Sequence, residues 1–304
     1  MRLVFMGTPS FAVPTLERVV QAGHEVLAVY TQPDRPKGRG GKPAASPVKQ
    51  AAIGLGLEVR QPERIRRPEV VAELAAMNTD AMVVVGYGQI IPQAIIDLPR
   101  QGIINVHASL LPKYRGAAPI QWAVANGETL TGVTTMRIDA GLDTGDMLLK
   151  WETPIGADED ALQLSARLAP AGADLLVRTL AEAPAPQPQD NSQATYAPIL
   201  KKEDGLIDWN QSASAIFNRS RGFLPWPGAW TYLRGQVFHV WRSRVAPGSG
   251  APGTVVADRS KLVVHCGDQT ALELLEVQLE GRKRIDAAAF LNGWKPEPNE
   301  ALGK

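Results

Sequence analysis

The sequence has a single cysteine, Cys266, in 304 residues. Neither a disulfide framework nor a thiolate zinc cluster can form within one chain carrying one thiol. Long hydrophobic runs are also missing: no stretch approaches the roughly 20 consecutive apolar residues of a membrane span. The opening MRLVFMGTPS reaches a Gly-Thr-Pro turn after only a few apolar residues, fewer than the roughly 7–15 of a signal-peptide core. A cytoplasmic protein is therefore expected. Net charge is nearly absent, with 32 Lys+Arg against 31 Asp+Glu, which excludes a protein that binds polyanions through its average charge. The distribution is uneven, however. Residues 31–67 hold nine Lys/Arg and three Asp/Glu, and residues 201–304 hold fourteen against eleven. Such patches steer a polyanion where a net charge does not.

What is present is an ordinary globular composition, 44% hydrophobic and 21% charged, with length for two domains. Short apolar runs at Leu3–Met6, Val26–Tyr30, Ala81–Val85 and Ile103–Val106 alternate with helical patterns at Pro9–Ala22, Ser46–Ile53 and Pro68–Met77. Strands buried on both faces with helices between them predict a Rossmann-like, doubly wound, mainly parallel α/β sheet. Gly132–Ile138 and Met147–Ile155 read as further strands, followed by a long helix from about Asp160 to Ala183. APAPQPQDNSQATYA, residues 183–197, has no hydrophobic period and reads as a linker. Beyond it the sequence predicts a short helix near Ser212–Ser220. Five short strands follow at Trp230–Leu233, Gln236–Val245, Gly253–Val256, Lys261–Cys266 and Ala271–Leu279. That pattern predicts a small OB-like β-barrel. The division is an α/β domain over 1–183, a linker over 184–204 and a barrel domain over 205–304.

Three features carry chemistry. First, the strand ending at Val106 runs into Asn105, His107 and Ser109. Spacing of two puts Asn105 and His107 on one face of the strand end, where ligands bind in open α/β sheets. An amide that donates to a developing oxyanion then stands beside an imidazole that moves protons; a satisfied structural histidine is the alternative. Second, DAGLDTGD (139–146) places three carboxylates in eight residues. It reads as a partial cation loop lacking the terminal bidentate Glu, as a turn, or as the source of a carboxylate that orients His107. Third, the loop TQPDRPKGRGGKPAASP carries Arg35, Lys37, Arg39 and Lys42. With its Pro and Gly content it cannot continue a strand or a helix, so an exposed, mobile excursion is expected, and its charge suits phosphate docking. It lacks the spacing of a Walker loop, and Gly7-Thr8-Pro9 lacks the glycines of a dinucleotide fingerprint. The tail interleaves aromatics and cations (Arg219, Arg221, Trp226, Trp230, Tyr232, Arg234, Trp241, Arg242, Arg244), and five of the seven tryptophans lie beyond residue 208. Small barrels bind nucleic acid this way, though core packing is the commoner fate of a strand aromatic.

HASLLPKYRGAAPIQWAVANGE (107–128) followed by GVTTMRIDAGLDTGDML resembles the core of the 10-formyltetrahydrofolate-dependent formyltransferase family. FMGTPSFAVP, TQPDRPKGRG and IDWNQSASAIFNRSRGFLPWPGAW extend the resemblance over essentially the whole chain, and toward the branch whose acceptor is initiator methionyl-tRNA. The resemblance implies that Asn105, His107 and Asp143 occupy the catalytic positions, which selects Asp143 and demotes the metal reading. It implies that Ser109, Leu110, Leu111 and Pro112 meet the folate. It also implies that Arg35, Lys37, Arg39 and Lys42 enter the acceptor end of the tRNA, with Arg39 at the key arginine position. The second domain corresponds to a tRNA-binding module. Lys113-Tyr114 stands where relatives often carry Arg-Trp, keeping the charge and the ring. A metal-free monomer acting in translation initiation is the expectation. The rivals are a formyltransferase acting on an amino sugar or ribonucleotide, and a tRNA-binding module without catalysis.

Overall fold

The computed structural model describes residues 1–36, 43–258 and 260–303. The chain forms two compact units. One holds Met1–Pro119, Leu130–Pro154 and Ser165–Ala197; the other holds Ile120–Thr129, Ile155–Leu164 and Pro198–Lys304.

The first unit is built on seven strands: β1 (Arg2–Gly7), β2 (Glu25–Tyr30), β3 (Val59–Arg60), β4 (Ala81–Val85), β5 (Ile103–His107), β6 (Leu130–Arg137) and β7 (Met147–Pro154). Their order across the sheet is β7-β6-β5-β4-β1-β2-β3. The five strands from β3 to β5 are parallel, and β6 and β7 add antiparallel to them. The predicted mainly parallel α/β sheet is thus observed. Its cause is visible in burial. All five residues of β4 are buried, as a parallel strand covered on both faces requires, whereas edge strand β7 alternates along Leu149–Glu152. Helix α1 (Val13–Gln21) buries Leu16 and Val19. Helix α2 (Pro47–Gly54) starts where Ser46 Oγ accepts from the Lys49 amide at 3.0 Å. Helix α3 (Pro68–Ala76) buries Val70 and Leu74. Helix α4 (Pro119–Ala125) lies between β5 and β6 in the chain but packs in the second unit, and helix α5 (Ala161–Glu182) follows β7.

Strand order reverses at β1, so the ends of β1 and β4 flank a crevice. The Tyr87 carbonyl accepts from Thr8 Oγ1 at 3.0 Å and Gln32 Nε2 at 3.1 Å, tying together the chain just past β1, β2 and β4. Gly86 makes the approach possible. Its φ is +56°, and a Cβ there would lie 2.9 Å from Pro9 Cγ. A cleft of about 430 Å³ opens beside this knot, lined by Thr8, Pro9, Gln32, Pro33, Arg35, residues 44–47 and Gly88.

The second unit holds α6 (Ala213–Gly222), β8 (Ala229–Leu233), β9 (Gln236–Ala246), β10 (Val255–Ala257), β11 (Leu262–His265), β12 (Ala271–Leu279), β13 (Ile285–Asp286) and α7 (Ala287–Gly293). The strands pair antiparallel in the order β8-β9-β12-β11-β10, with β13 also on β12. Among the described residues these pairings form an open path, so the observed element is an antiparallel sheet, with a sixth strand and α7 beyond the five strands expected. Phe238, Val240, Val264, Leu272 and Leu274 pack with Ile216 of α6 and Leu291 of α7. Arg234 and Gly235, both at positive φ, make the two-residue turn between β8 and β9. Cys266 is buried in this core, and burial pushes its thiol up to about 11. Helix α4 belongs here too: Trp122 meets Phe223 edge to face at 5.2 Å, and Gly222 leaves no room for a Cβ against Ala125.

The segment read as a linker is structured in the first unit. Gln187 exchanges backbone hydrogen bonds of 2.9 and 2.8 Å with Met147, and Tyr196–Ala197 pairs in parallel with Arg115–Gly116.

Candidate active site

Strand β5 delivers Asn105 and His107 to one face of its carboxyl end, opposite Met136 and Thr134 of β6. Both are buried, 8% and 5% exposed. The DAGLDTGD turn between β6 and β7 brings Asp143 to them. Its Oδ1 accepts from Asn105 Nδ2 at 3.4 Å, and its Oδ2 lies 3.7 Å from His107 Nδ1. The three residues singled out in the sequence therefore converge.

The imidazole is fixed from its other side, where Nε2 stands 2.9 Å from the Tyr114 carbonyl oxygen. A carbonyl only accepts, so Nε2 carries a hydrogen, and in the neutral ring Nδ1 is left as the acceptor. Asp143 Oδ2 also accepts from the Gly116 amide at 2.8 Å. Asp143 sits at φ +53°, a left-handed conformation that Asp tolerates better than most side chains but that still costs about 1–2 kcal/mol. The turn is compressed as well. A Cβ on Gly145 would overlap the Arg137 carbonyl, so only glycine fits there.

The neighbouring Asp139 has other partners. Asp139 accepts from Thr144 Oγ1 at 2.7 Å and from the Gly141 amide at 3.0 Å, which makes it the brace of the turn. Among the described residues no group of three or more His, Cys, Asp or Glu side chains converges as metal ligands would. Of the three readings of this cluster, the geometry matches a turn that presents one aspartate to His107.

Ser109 and Leu111 are buried, and Leu110 and Pro112 are half-buried. Thr134 Oγ1 donates to the Ser109 carbonyl at 2.7 Å and accepts from the Leu111 amide at 3.2 Å; Ser109 Oγ donates to the Lys113 carbonyl at 2.6 Å. This segment is held by its own hydrogen bonds.

Arg35 is exposed on the stem of the basic loop, where Arg35–Pro36 pairs with Pro43–Ala44. Lys37, Arg39 and Lys42 lie outside the described residues. Asp34 braces the stem, accepting from Lys49 Nζ and Gln61 Nε2, both at 2.7 Å. The Lys49 hydrogen bond, foremost, holds the Asp34 carboxyl below the usual range.

Sequence reasoning missed the supports. Gln189 Nε2 donates to the Asp143 and Gly145 carbonyls at 2.8 and 2.7 Å. Its Oε1 accepts from Arg115 Nε and Nη2 at 3.0 and 2.8 Å. Arg115 itself is 2% exposed and also donates to Asn191 Oδ1 at 2.8 Å. No local pattern marks Gln189, because its partners lie 44, 46 and 74 positions away.

The formyl transferase family model matches residues 1–180, and that for the formyl transferase C-terminal domain matches residues 199–295. The chain belongs to the formyl transferase family. Relatives match along their whole length. The methionyl-tRNA formyltransferase of Solibacter usitatus (strain Ellin6076) is 66% identical over 100% of this chain and 99% of its own. That of Koribacter versatilis (strain Ellin345) is 57% identical over 100% and 99%. Solved structures share the fold at low identity. The sugar 3N-formyl transferase WlaRD, crystallised with dTDP and 5-N-formyl-THF, has a TM-score of 0.67 at 17% identity over 93% of this chain and 99% of that one. HypX from Aquifex aeolicus in complex with tetrahydrofolic acid has a TM-score of 0.62 at 17% identity, covering 100% of this chain and 50% of that one.

Proposed function

We propose that this protein transfers the formyl group of 10-formyltetrahydrofolate to the α-amino group of methionine on initiator methionyl-tRNA, yielding N-formylmethionyl-tRNA for translation initiation. The observation that carries this reading is the convergence of Asn105, His107 and Asp143 at the buried end of β5. The full-length relatives at 57% and 66% identity support the same acceptor. In this reading residues 1–183 carry the chemistry, residues 205–304 form an OB-like tRNA-binding domain, and 184–204 join them.

In the reaction a C–N bond forms between the amine and the formyl carbon, the bond from that carbon to N10 breaks, and the amine's proton ends on N10. Asn105 supplies a hydrogen-bond donor to the formyl oxygen as charge builds there. Its 3.4 Å bond to Asp143 is long, which leaves the amide free to turn to substrate. His107 Nδ1 takes the proton from the attacking nitrogen and returns it to the departing one. Asp143 keeps a negative charge 3.7 Å from that nitrogen and so favours the imidazolium formed midway. Ser109, Leu110, Leu111 and Pro112 meet the folate on the same strand's continuation. Arg35, Lys37, Arg39 and Lys42 meet phosphates of the acceptor end. The depth of the site suits the chemistry, since donors act more strongly where water is excluded.

The test offers the purified protein 10-formyltetrahydrofolate with charged initiator tRNA, with charged elongator tRNA, or with an amino-sugar nucleotide. N-formylmethionine is expected on initiator tRNA at the highest kcat/KM. A higher kcat/KM for the amino sugar, or no transfer to any acceptor, would overturn the reading.

A further inference from the structure

We infer that Gln189 is a positioning residue for formyl transfer: its amide holds the backbone of the Asp143 turn and thereby sets where the Asp143 carboxylate meets His107. The inference rests on the role proposed above for Asp143.

Asp139 braces the turn from within, through Thr144 and Gly141, but it makes no bond to the Asp143 backbone. Asp143 is in the left-handed region at φ +53°, and Leu142 beside it is 62% exposed, so local preference and burial do not hold the backbone here. On one side the turn is pinned to the end of β6 by the Arg137 amide, which donates to the Asp146 carbonyl at 2.8 Å. On the other side stands Gln189. A side-chain amide has two N–H donors and an oxygen with two lone pairs, and all are used here. The donors go to the Asp143 and Gly145 carbonyls, two residues apart, so the amide spans the turn as a rung. The oxygen takes two bonds from Arg115, whose buried guanidinium also grips Asn191. Gln189 therefore sits on an anchored base.

The same return segment also holds the carboxylate. Arg115 and Gly116 pair with Tyr196 and Ala197, and the Tyr114 amide donates to Thr195 Oγ1 at 2.9 Å. That pairing fixes the Gly116 amide, which donates to Asp143 Oδ2, and the Tyr114 carbonyl, which faces His107 Nε2. Residues 187–197 thus bond the backbone of Asp143 directly, and through Gly116 and Tyr114 they hold the groups that meet its carboxylate and the histidine ring. A rung of this kind acts on geometry rather than on substrate binding, and displacement of a reacting group by about 1 Å costs on the order of 100-fold in rate.

The experiment compares Gln189→Met, which fills the volume without hydrogen bonds, with Gln189→Glu, which keeps the acceptor for Arg115 but loses both donors. Asp143→Asn and the double variant Asp143→Asn/Gln189→Met complete a cycle. Steady-state formylation of initiator methionyl-tRNA and the thermal midpoint are read for each. Both single Gln189 variants are expected to lower kcat by about 10- to 100-fold, with KM for each substrate held within about threefold. On the Asp143→Asn background, Gln189→Met is expected to cost less than about twofold, since the rung has nothing left to position. Should Gln189→Met fail to fold, Gln189→Glu, which retains the Arg115 bonds, carries the comparison. Wild-type kcat in both Gln189 variants while Asp143→Asn is impaired would overturn the role of Gln189 and leave that of Asp143 standing. A loss that appears in KM alone, or that multiplies fully in the double variant, would overturn it too. Wild-type turnover in Asp143→Asn would instead sink the catalytic reading beneath it.

Discussion

The Nε2 atom of His107 lies 2.9 Å from the carbonyl oxygen of Tyr114, and this contact places the ring hydrogen on Nε2 and leaves Nδ1 as the acceptor of the neutral ring. A glutamine at 107 preserves the N–H toward Tyr114 but has no basic nitrogen where Nδ1 stands. His107→Gln is therefore expected to fold normally and to lower turnover by about 10²- to 10⁴-fold. Single-turnover formylation with a thermal melt checks it; a folded variant with near-wild-type turnover would show that the imidazole carries no proton.

Asn105→Ala removes a buried donor without changing charge. The expected loss is on the order of 100-fold or more in kcat, with the dissociation constant for tRNA unchanged. Measuring turnover and filter binding on one preparation separates the two, and a variant that loses affinity while keeping kcat would contradict the assignment.

The basic loop is expected to act through phosphates. Replacing Arg35, Lys37, Arg39 and Lys42 together by Ala should weaken binding to every tRNA alike. The plot of log affinity against log salt should also flatten by about 0.7–0.9 for each phosphate that is no longer neutralised. A slope equal to that of the wild type would place the tRNA interface elsewhere.

The second unit carries an acid-sensitive clamp. Glu300 receives hydrogen bonds from Arg234, which hold its carboxyl below the usual range, and the same pair spans from the β8–β9 turn to the C-terminal segment. A carboxyl depressed on folding stabilises the native state above its ordinary range, and the contribution disappears as pH falls through the depressed value. Glu300→Gln is expected to melt below the wild type at pH 7, with the two curves meeting under acid conditions. Thermal midpoints across pH 3–8 test this; a gap that is constant with pH would assign the effect to packing instead.

The sheet was legible because burial on two faces leaves a plain imprint: AMVVV in β4 has no polar position to spare. Asn105 and His107 were legible from their alternation at a strand end. Asp143 was not separable from Asp139 by spacing, since both sit in one acidic turn; only the resemblance chose it, and the fold shows Asp139 engaged with Thr144. Gln189 was hidden for a different reason. A Pro- and Gln-rich segment without hydrophobic period looks like a tether, yet its structure comes from hydrogen bonds to Met147, Arg115 and the Asp143 turn, which distant chain segments provide. Helix α4 was hidden in the motif block, where Gly-Ala-Ala-Pro obscures the onset of a helical turn.

Cys266, the lone thiol, is 1% exposed and, with its ionisation pushed up to about 11, is almost wholly un-ionised near neutrality. Toward a maleimide the folded protein is accordingly expected to react as though it had no cysteine. A reporter thiol placed at Leu142, exposed beside Asp143, would take a fluorophore selectively without first removing Cys266 and disturbing the core around it. Whether the Asp143 turn changes position when substrates are added is therefore open to direct optical observation in an otherwise natural chain.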